Sequence, residues 1–219
     1  MNTLTKMALG LIGQLKAQPA VGDAASTTYL PAANITGGLP LMQALAQRQS
    51  LREFDPAPLP LQMLSDLLWA AAGINRPDLG GRTAPSAMNA QEIEVYAALP
   101  TGLYRYLAKT QTLHLVSDSD VRRVTGYQDF VDNAPLDLVF VADYAHMKLV
   151  PAVQRLSYAS VAAGAMAQNV YLYCASAGLA TVIRAWLDRD ALARAMGLNN
   201  EQQVLLSQTV GWPKGAARA

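Results

Sequence analysis

The apolar run Leu136–Ala142 limits what this chain can fold into more than any other segment. It has the length of a strand rather than of a buried helix. It lacks the in-and-out alternation of a half-exposed strand, so both of its faces must be covered. A sheet covered on both faces needs helices on both sides, and that points to a three-layer α+β fold. Composition supports the same picture. Of 219 residues, 52% are hydrophobic and only 15% are charged, a more apolar balance than an ordinary soluble domain carries. The surplus needs cover beyond one core, and a broad subunit interface is the simplest place for it.

Around that strand the chain divides at about residue 38. Leu4, Met7, Leu11 and Leu15 recur at helical spacing and predict a short amphipathic helix that docks on a partner subunit. Lys6 ahead of an apolar stretch loosely resembles a signal segment, which would make the protein exported. Gly10, Gly13 and Gln14 interrupt the stretch, so a docking helix and a cytoplasmic protein are the preferred expectation. Pro19, Gly22, Pro31, Gly37 and Gly38 predict a linker without regular structure. Residues 39–219 then form the main domain. Helices are expected over 41–48, from Pro60 to a stop at Gly73, over 118–125, over 157–177 and from an Asp188 cap to Gly197. Strands are expected at 51–54, 93–96, 136–142, 181–186 and 204–210, with a hairpin from 103–106 and 112–116. Helices between strands predict a mixed or antiparallel sheet. The small residues Ala159, Ser160, Ala162, Ala163, Gly164 and Ala167 would let another helix approach closely.

Three segments carry candidate chemistry. Arg48-Gln49-Ser50-Leu51-Arg52 places two guanidinium groups and a hydroxyl within one helical turn. Guanidinium forks suit a phosphate dianion, although cations at a helix C-terminus are also favourable without any ligand. Pro85-Ser86-Ala87-Met88-Asn89-Ala90-Gln91 can offer backbone amides and a carboxamide to a heterocycle edge, or simply be a capped turn. The third, Gly178–Trp186, leads from a helix into an extended segment.

In this order and at these separations, the three segments resemble the nitroreductase family of FMN enzymes. Arg48–Phe54 is similar to its Arg-Arg-Ser-x-Arg-x-Phe opening, Pro85–Asn89 to its Pro-Ser-Ser/Ala-x-Asn loop, and Gly178–Trp186 to its Gly-Leu-Gly-Thr/Ser segment. Leu67–Ile74, Gly102–Tyr106 and Leu113–Leu115 resemble the branch containing azoline-oxidising peptide dehydrogenases. The resemblance implies an intertwined homodimer with FMN at the interface. Arg48, Gln49, Ser50 and Arg52 would hold the phosphate and ribityl chain, with Lys214 adding charge. Pro85, Ser86, Ala87, Met88 and Asn89 would reach the flavin from the partner. Ile183, Arg184 and Ala185 would place backbone beside the reactive nitrogen, with the Arg184 side chain near the ring.

The implied activity is hydride transfer from NADH or NADPH, through FMN, to a nitroaromatic or quinone-like acceptor. The alternatives are a peptide azoline dehydrogenase and a flavin-binding protein without turnover. Gln49 stands where the family commonly has a basic residue, and Trp186 either narrows the substrate pocket or packs in the core. No Lys is followed by Tyr, the pair that azoline dehydrogenases use. No Gly-x-Gly-x-x-Gly opens a nucleotide-binding unit, so a nicotinamide donor would stack in the substrate pocket itself. His114 and His146 lack metal-ligand spacing, and Cys174 sits mid-helix among apolar residues as a core thiol. A net charge of +1, without a basic face, excludes nucleic acid as an expected partner. No stretch has the length and apolarity of a membrane span.

Overall fold

A computed structural model describes residues 1–215. An eight-stranded sheet is built from β1 (Thr27–Tyr29), β2 (Phe54–Asp55), β3 (Ile93–Leu99), β4 (Gly102–Leu107), β5 (Thr112–Ser117), β6 (Leu136–Asp143), β7 (Ala180–Arg184) and β8 (Gln202–Pro213). Its spatial order is β7-β8-β6-β3-β4-β5-β1, with β2 paired to the end of β8. Every pairing is antiparallel. A helix links β6 to β7, and both strands run opposite to β8, so they are parallel to each other. Because β8 lies between them, the sheet is not mixed.

Among the described residues, five helices cover it: α1 (Thr3–Leu11), α2 (Leu41–Gln47), α3 (Leu61–Ala72), α4 (Ala152–Ala177) and α5 (Arg189–Met196). In β6, Leu136, Leu138, Phe140 and Ala142 pack with α3 and α4, while Val139 and Val141 pack with Leu15, Leu187, Leu192 and Met196 on the other face. The period of two thus serves two cores, which is why the run looks unpatterned. One residue breaks the apolar rule: Asp137 is fully buried in the middle layer.

Local chemistry sets several boundaries. Asp188 caps α5 by accepting from the Ala191 N–H at 2.9 Å, and Gly197 ends it at φ +67°. Helix α4 starts five residues before the expected Ser157, directly after Pro151. Its first turn carries Val153, which is 91% exposed, so no core-facing period announces it. The helix expected over 118–125 is absent. Ser119–Asp120 pairs with Gln18–Pro19 instead, and Asp120 accepts from the backbone and guanidinium of Arg122, which fixes a 3-10 turn at Arg122–Val124. The expected linker likewise contains this pairing strand and β1, because an edge strand needs only a few residues and no apolar period. Leu15 and Leu30 are buried, tying the first 38 residues to the main body. Helix α1 packs on its own chain rather than through its apolar stripe. Leu4 and Leu11 are exposed, while Lys6 is fully buried, donating to Gln128 O at 2.9 Å and pairing with Asp132 at 2.5 Å.

Candidate functional site

Helix α2 stops at Gln47, so Arg48–Glu53 is an extended crossing rather than a helical turn. It runs along the open edge of β7, where Leu51 N–H donates to Thr181 O at 3.0 Å. Just beyond it, the Lys214 N–H donates to Glu53 O at 3.1 Å. The anchor of this region is Tyr171 on α4. Its hydroxyl accepts from the Ile183 N–H at 3.0 Å and shares a 2.7 Å hydrogen bond with Ser50 Oγ, and its ring lies 5.2 Å beneath the Arg48 guanidinium. One buried phenol therefore joins the first and third sequence segments. Sequence reasoning missed it; the only signal was a Tyr on the face of α4 that also carries Ala167 and Cys174.

Two adjoining cavities open along this crossing. Arg48, Gln49, Tyr171 and Thr181 line one of about 420 Å³. Arg52, Phe54, Asp129, Phe130 and Lys214 line the other, of about 500 Å³. Arg48 is half-buried, and Gln49, Arg52 and Lys214 are exposed. None of the three cations forms an ion pair with a carboxylate among the described residues. Unneutralised guanidinium and ammonium groups around adjoining hollows are a donor set that suits an anionic tail.

The third segment divides by strand alternation. Ala180 and Val182 face the cluster with Phe54 and Phe130, while Ile183 faces α4. Arg184 continues the first face and is buried. Its guanidinium donates to Asp137 Oδ1 at 2.5 Å, to Thr125 O at 2.8 Å and to Thr209 Oγ1 at 2.8 Å. Thr209 Oγ1 also donates to Asp137. A Cβ at Gly126 would stand 1.9 Å from Arg184 Nη1, so glycine makes room for the guanidinium. The Arg184 side chain, expected near a flavin ring, neutralises Asp137 in the core and lines neither cavity. Ala185 and Trp186 are exposed. The Trp186 ring lies 5.5 Å from that of Tyr127 at the surface, not in the core.

Pro85–Asn89 forms a separate turn. Asn89 N–H donates to Ser86 O at 3.2 Å and Gln91 N–H to Ser86 Oγ at 3.0 Å. Met88, Asn89 and Gln91, with right-handed Ala90 between the last two, have φ of +56°, +53° and +52°, angles that side chains disfavour. Met88 and Asn89 are exposed, and among the described residues no hydrogen bond or shared cavity joins them to Arg48–Arg52. Cys174 is buried at the wall of the Arg48 cavity, and burial pushes its thiol well up, away from the nucleophilic thiolate.

Comparison with known proteins places this arrangement. The model of the Nitroreductase family matches residues 45–212. A curated protein of Methanocaldococcus jannaschii that carries a nitroreductase name is 31% identical over 161 residues, 68% of this chain and 81% of its own. A crystal structure from Ralstonia eutropha, also under a nitroreductase name, is 52% identical with a TM-score of 0.88, covering 93% of this chain and 96% of that one. The microcin synthetase complex of E. coli shares the fold at 17% identity and a TM-score of 0.66, over 99% of this chain and 93% of that one. The chain belongs to the nitroreductase family.

Proposed function

We propose that the protein is an FMN-dependent oxidoreductase working as a homodimer, taking hydride from NADH or NADPH and delivering it to a nitroaromatic or quinone-like acceptor. The observation that carries this reading is the set of cations Arg48, Arg52 and Lys214, without an ion pair among the described residues, around adjoining cavities on a nitroreductase fold. Arg52 and Lys214 would hold the phosphate. Arg48, fixed on the Tyr171 ring, and Ser50, fixed by the Tyr171 hydroxyl, would hold the ribityl side. Gln49 would add hydrogen bonds without charge. Ile183 and Ala185 would present backbone to the ring, and Arg184 would contribute only its main chain, because its guanidinium is committed to Asp137. The bound flavin would supply the hydride chemistry; the protein supplies position and polarity.

The exposed Pro85–Asn89 turn would complete the partner's site. Exposed Val153, Leu156 and Val161 on α4, beside Gly164, where a Cβ would meet nothing, offer the apolar face for that dimer. Sedimentation should give a dimer, and Val161→Glu should shift it toward monomer. Activity is tested by anaerobic titration of the flavin-loaded protein with NADH and with NADPH. Bleaching followed by reoxidation with a quinone supports the assignment; a flavin that neither donor reduces refutes it.

A further inference from the structure

Helices α3 and α4 wall another cavity, of about 300 Å³, which shares no residue with the two already described. Asp66, Trp69 and Ala70 stand three and four residues apart on α3, and Tyr173, Ser176 and Ala177 repeat that spacing on α4. Each helix therefore turns one short face toward the hollow. Residues 34–38 close a third side. That segment is tied at both ends: the Asn34 N–H donates to Asp66 Oδ1 at 2.8 Å, and the Leu39 N–H to Ser176 Oγ at 2.7 Å. The volume lies at the lower edge of small-molecule sites, roughly 300–1,000 Å³.

Its charge has one sign. Asp66 lines it and is half-buried, and no Lys, Arg or His lines it among the described residues. Asp66 forms no ion pair among those residues. Its Oδ1 is held by the Asn34 N–H and by Gln62 Nε2 at 2.9 Å, while no hydrogen bond among the described residues occupies Oδ2. The carboxylate is thus fixed in place with one oxygen open. Two half-buried aromatic residues line the same hollow. The Tyr173 hydroxyl donates to Met63 O at 3.3 Å, one turn before Asp66, which sets the phenol beside that turn. The Trp69 indole packs across the bare Cα of Gly73, where a Cβ would stand 2.3 Å from Trp69 Cδ1. A single carboxylate is a poor ligand set for a hard metal cation, which takes several oxygens. A carboxylate beside aromatic rings instead suits an organic cation, whose charge the ring faces also attract.

We propose that this cavity binds a small organic ammonium ion, its charged head against Asp66 and its alkyl groups against Trp69 and Tyr173. The site is independent of the flavin reading, because none of its lining belongs to the proposed cradle.

The test is calorimetric titration of the full-length protein with tetramethylammonium, choline and dimethylbutanol, the neutral carbon isostere of choline. Both cations should bind, and the alcohol about tenfold or more weakly. Asp66→Asn keeps an acceptor for Asn34 and Gln62 but loses the charge; it should weaken choline by about fivefold, with flavin content unchanged. Trp69→Leu should weaken choline by about threefold or more, and it locates the site should Asp66→Asn fail to fold. Absent binding of either cation, equal binding of the alcohol, or choline binding indifferent to these substitutions would overturn the proposal. So would a crystal structure with a partner segment filling the cavity.

Discussion

Replacing Arg184 by methionine separates a structural guanidinium from a cofactor-facing one. Methionine keeps most of the stem volume, so the loss is electrostatic. The change removes the hydrogen bonds to Asp137, Thr125 O and Thr209. Thr125 O keeps the Ser207 hydroxyl at 2.7 Å. Asp137 keeps the Thr209 hydroxyl, and its Oδ2 lacks a hydrogen-bond partner among the described residues. Breaking a buried pair in this way costs about 3–5 kcal/mol, because a charge is left uncompensated. For a domain of this size, each kcal/mol lowers Tm by roughly 2–4 °C, so the fall should be roughly 6–20 °C. The double variant Arg184→Met with Asp137→Leu should recover a large part of the loss, since both charges are then gone. Urea unfolding followed by tryptophan fluorescence on flavin-free protein measures both variants, and FMN titration measures binding. The reasoning fails if Arg184→Met unfolds at the parental midpoint while FMN affinity collapses, because the guanidinium would then be facing the flavin.

Three further outcomes follow from the same geometry. Tyr171→Phe removes the hydroxyl that joins Ser50 to Ile183; it should cost about 1–2 kcal/mol in urea unfolding and weaken FMN by about tenfold, both through lost order at the crossing. Arg52→Gln and Lys214→Gln should each weaken FMN by about tenfold and flatten its salt dependence, while leaving riboflavin, which has no phosphate, unchanged in calorimetry. Glu92 gives a pH test. Burial raises its carboxyl above the ordinary 4.5, so the folded protein keeps a proton that the unfolded chain releases. Its stabilising contribution is full below that value and is lost as pH rises through the folded one. The stability difference between Glu92→Gln and the parent should therefore move in the variant's favour from acidic to neutral pH.

What could be read in the sequence was what period and punctuation encode. The Leu136–Ala142 run, the Gly102–Ser117 hairpin and the caps of α5 each state their structure within a few residues. Strands of two or three residues, such as β1, carry no period and had to wait for the fold. Asp137 lay hidden because one carboxylate in an apolar run reads as noise; its meaning depends on Arg184, 47 residues away. The placement of Arg184 was available in principle, since alternation puts it with Ala180 and Val182 rather than with Ile183. Lys6 was not legible either: Leu4 and Leu11 of α1 face outward, while the one charged residue of the helix is buried against Asp132. Along the crossing, Arg48, Ser50 and Ile183 were each singled out by resemblance, but Tyr171, which brings them together, belongs to no short motif.

A single measurement bears most directly on the flavoprotein reading: the visible spectrum of the purified protein, followed by calorimetry with added FMN. The reading predicts a yellow protein, or a colourless one that binds FMN tightly and loses that grip in Arg52→Gln. A folded, colourless dimer that ignores added FMN would contradict it.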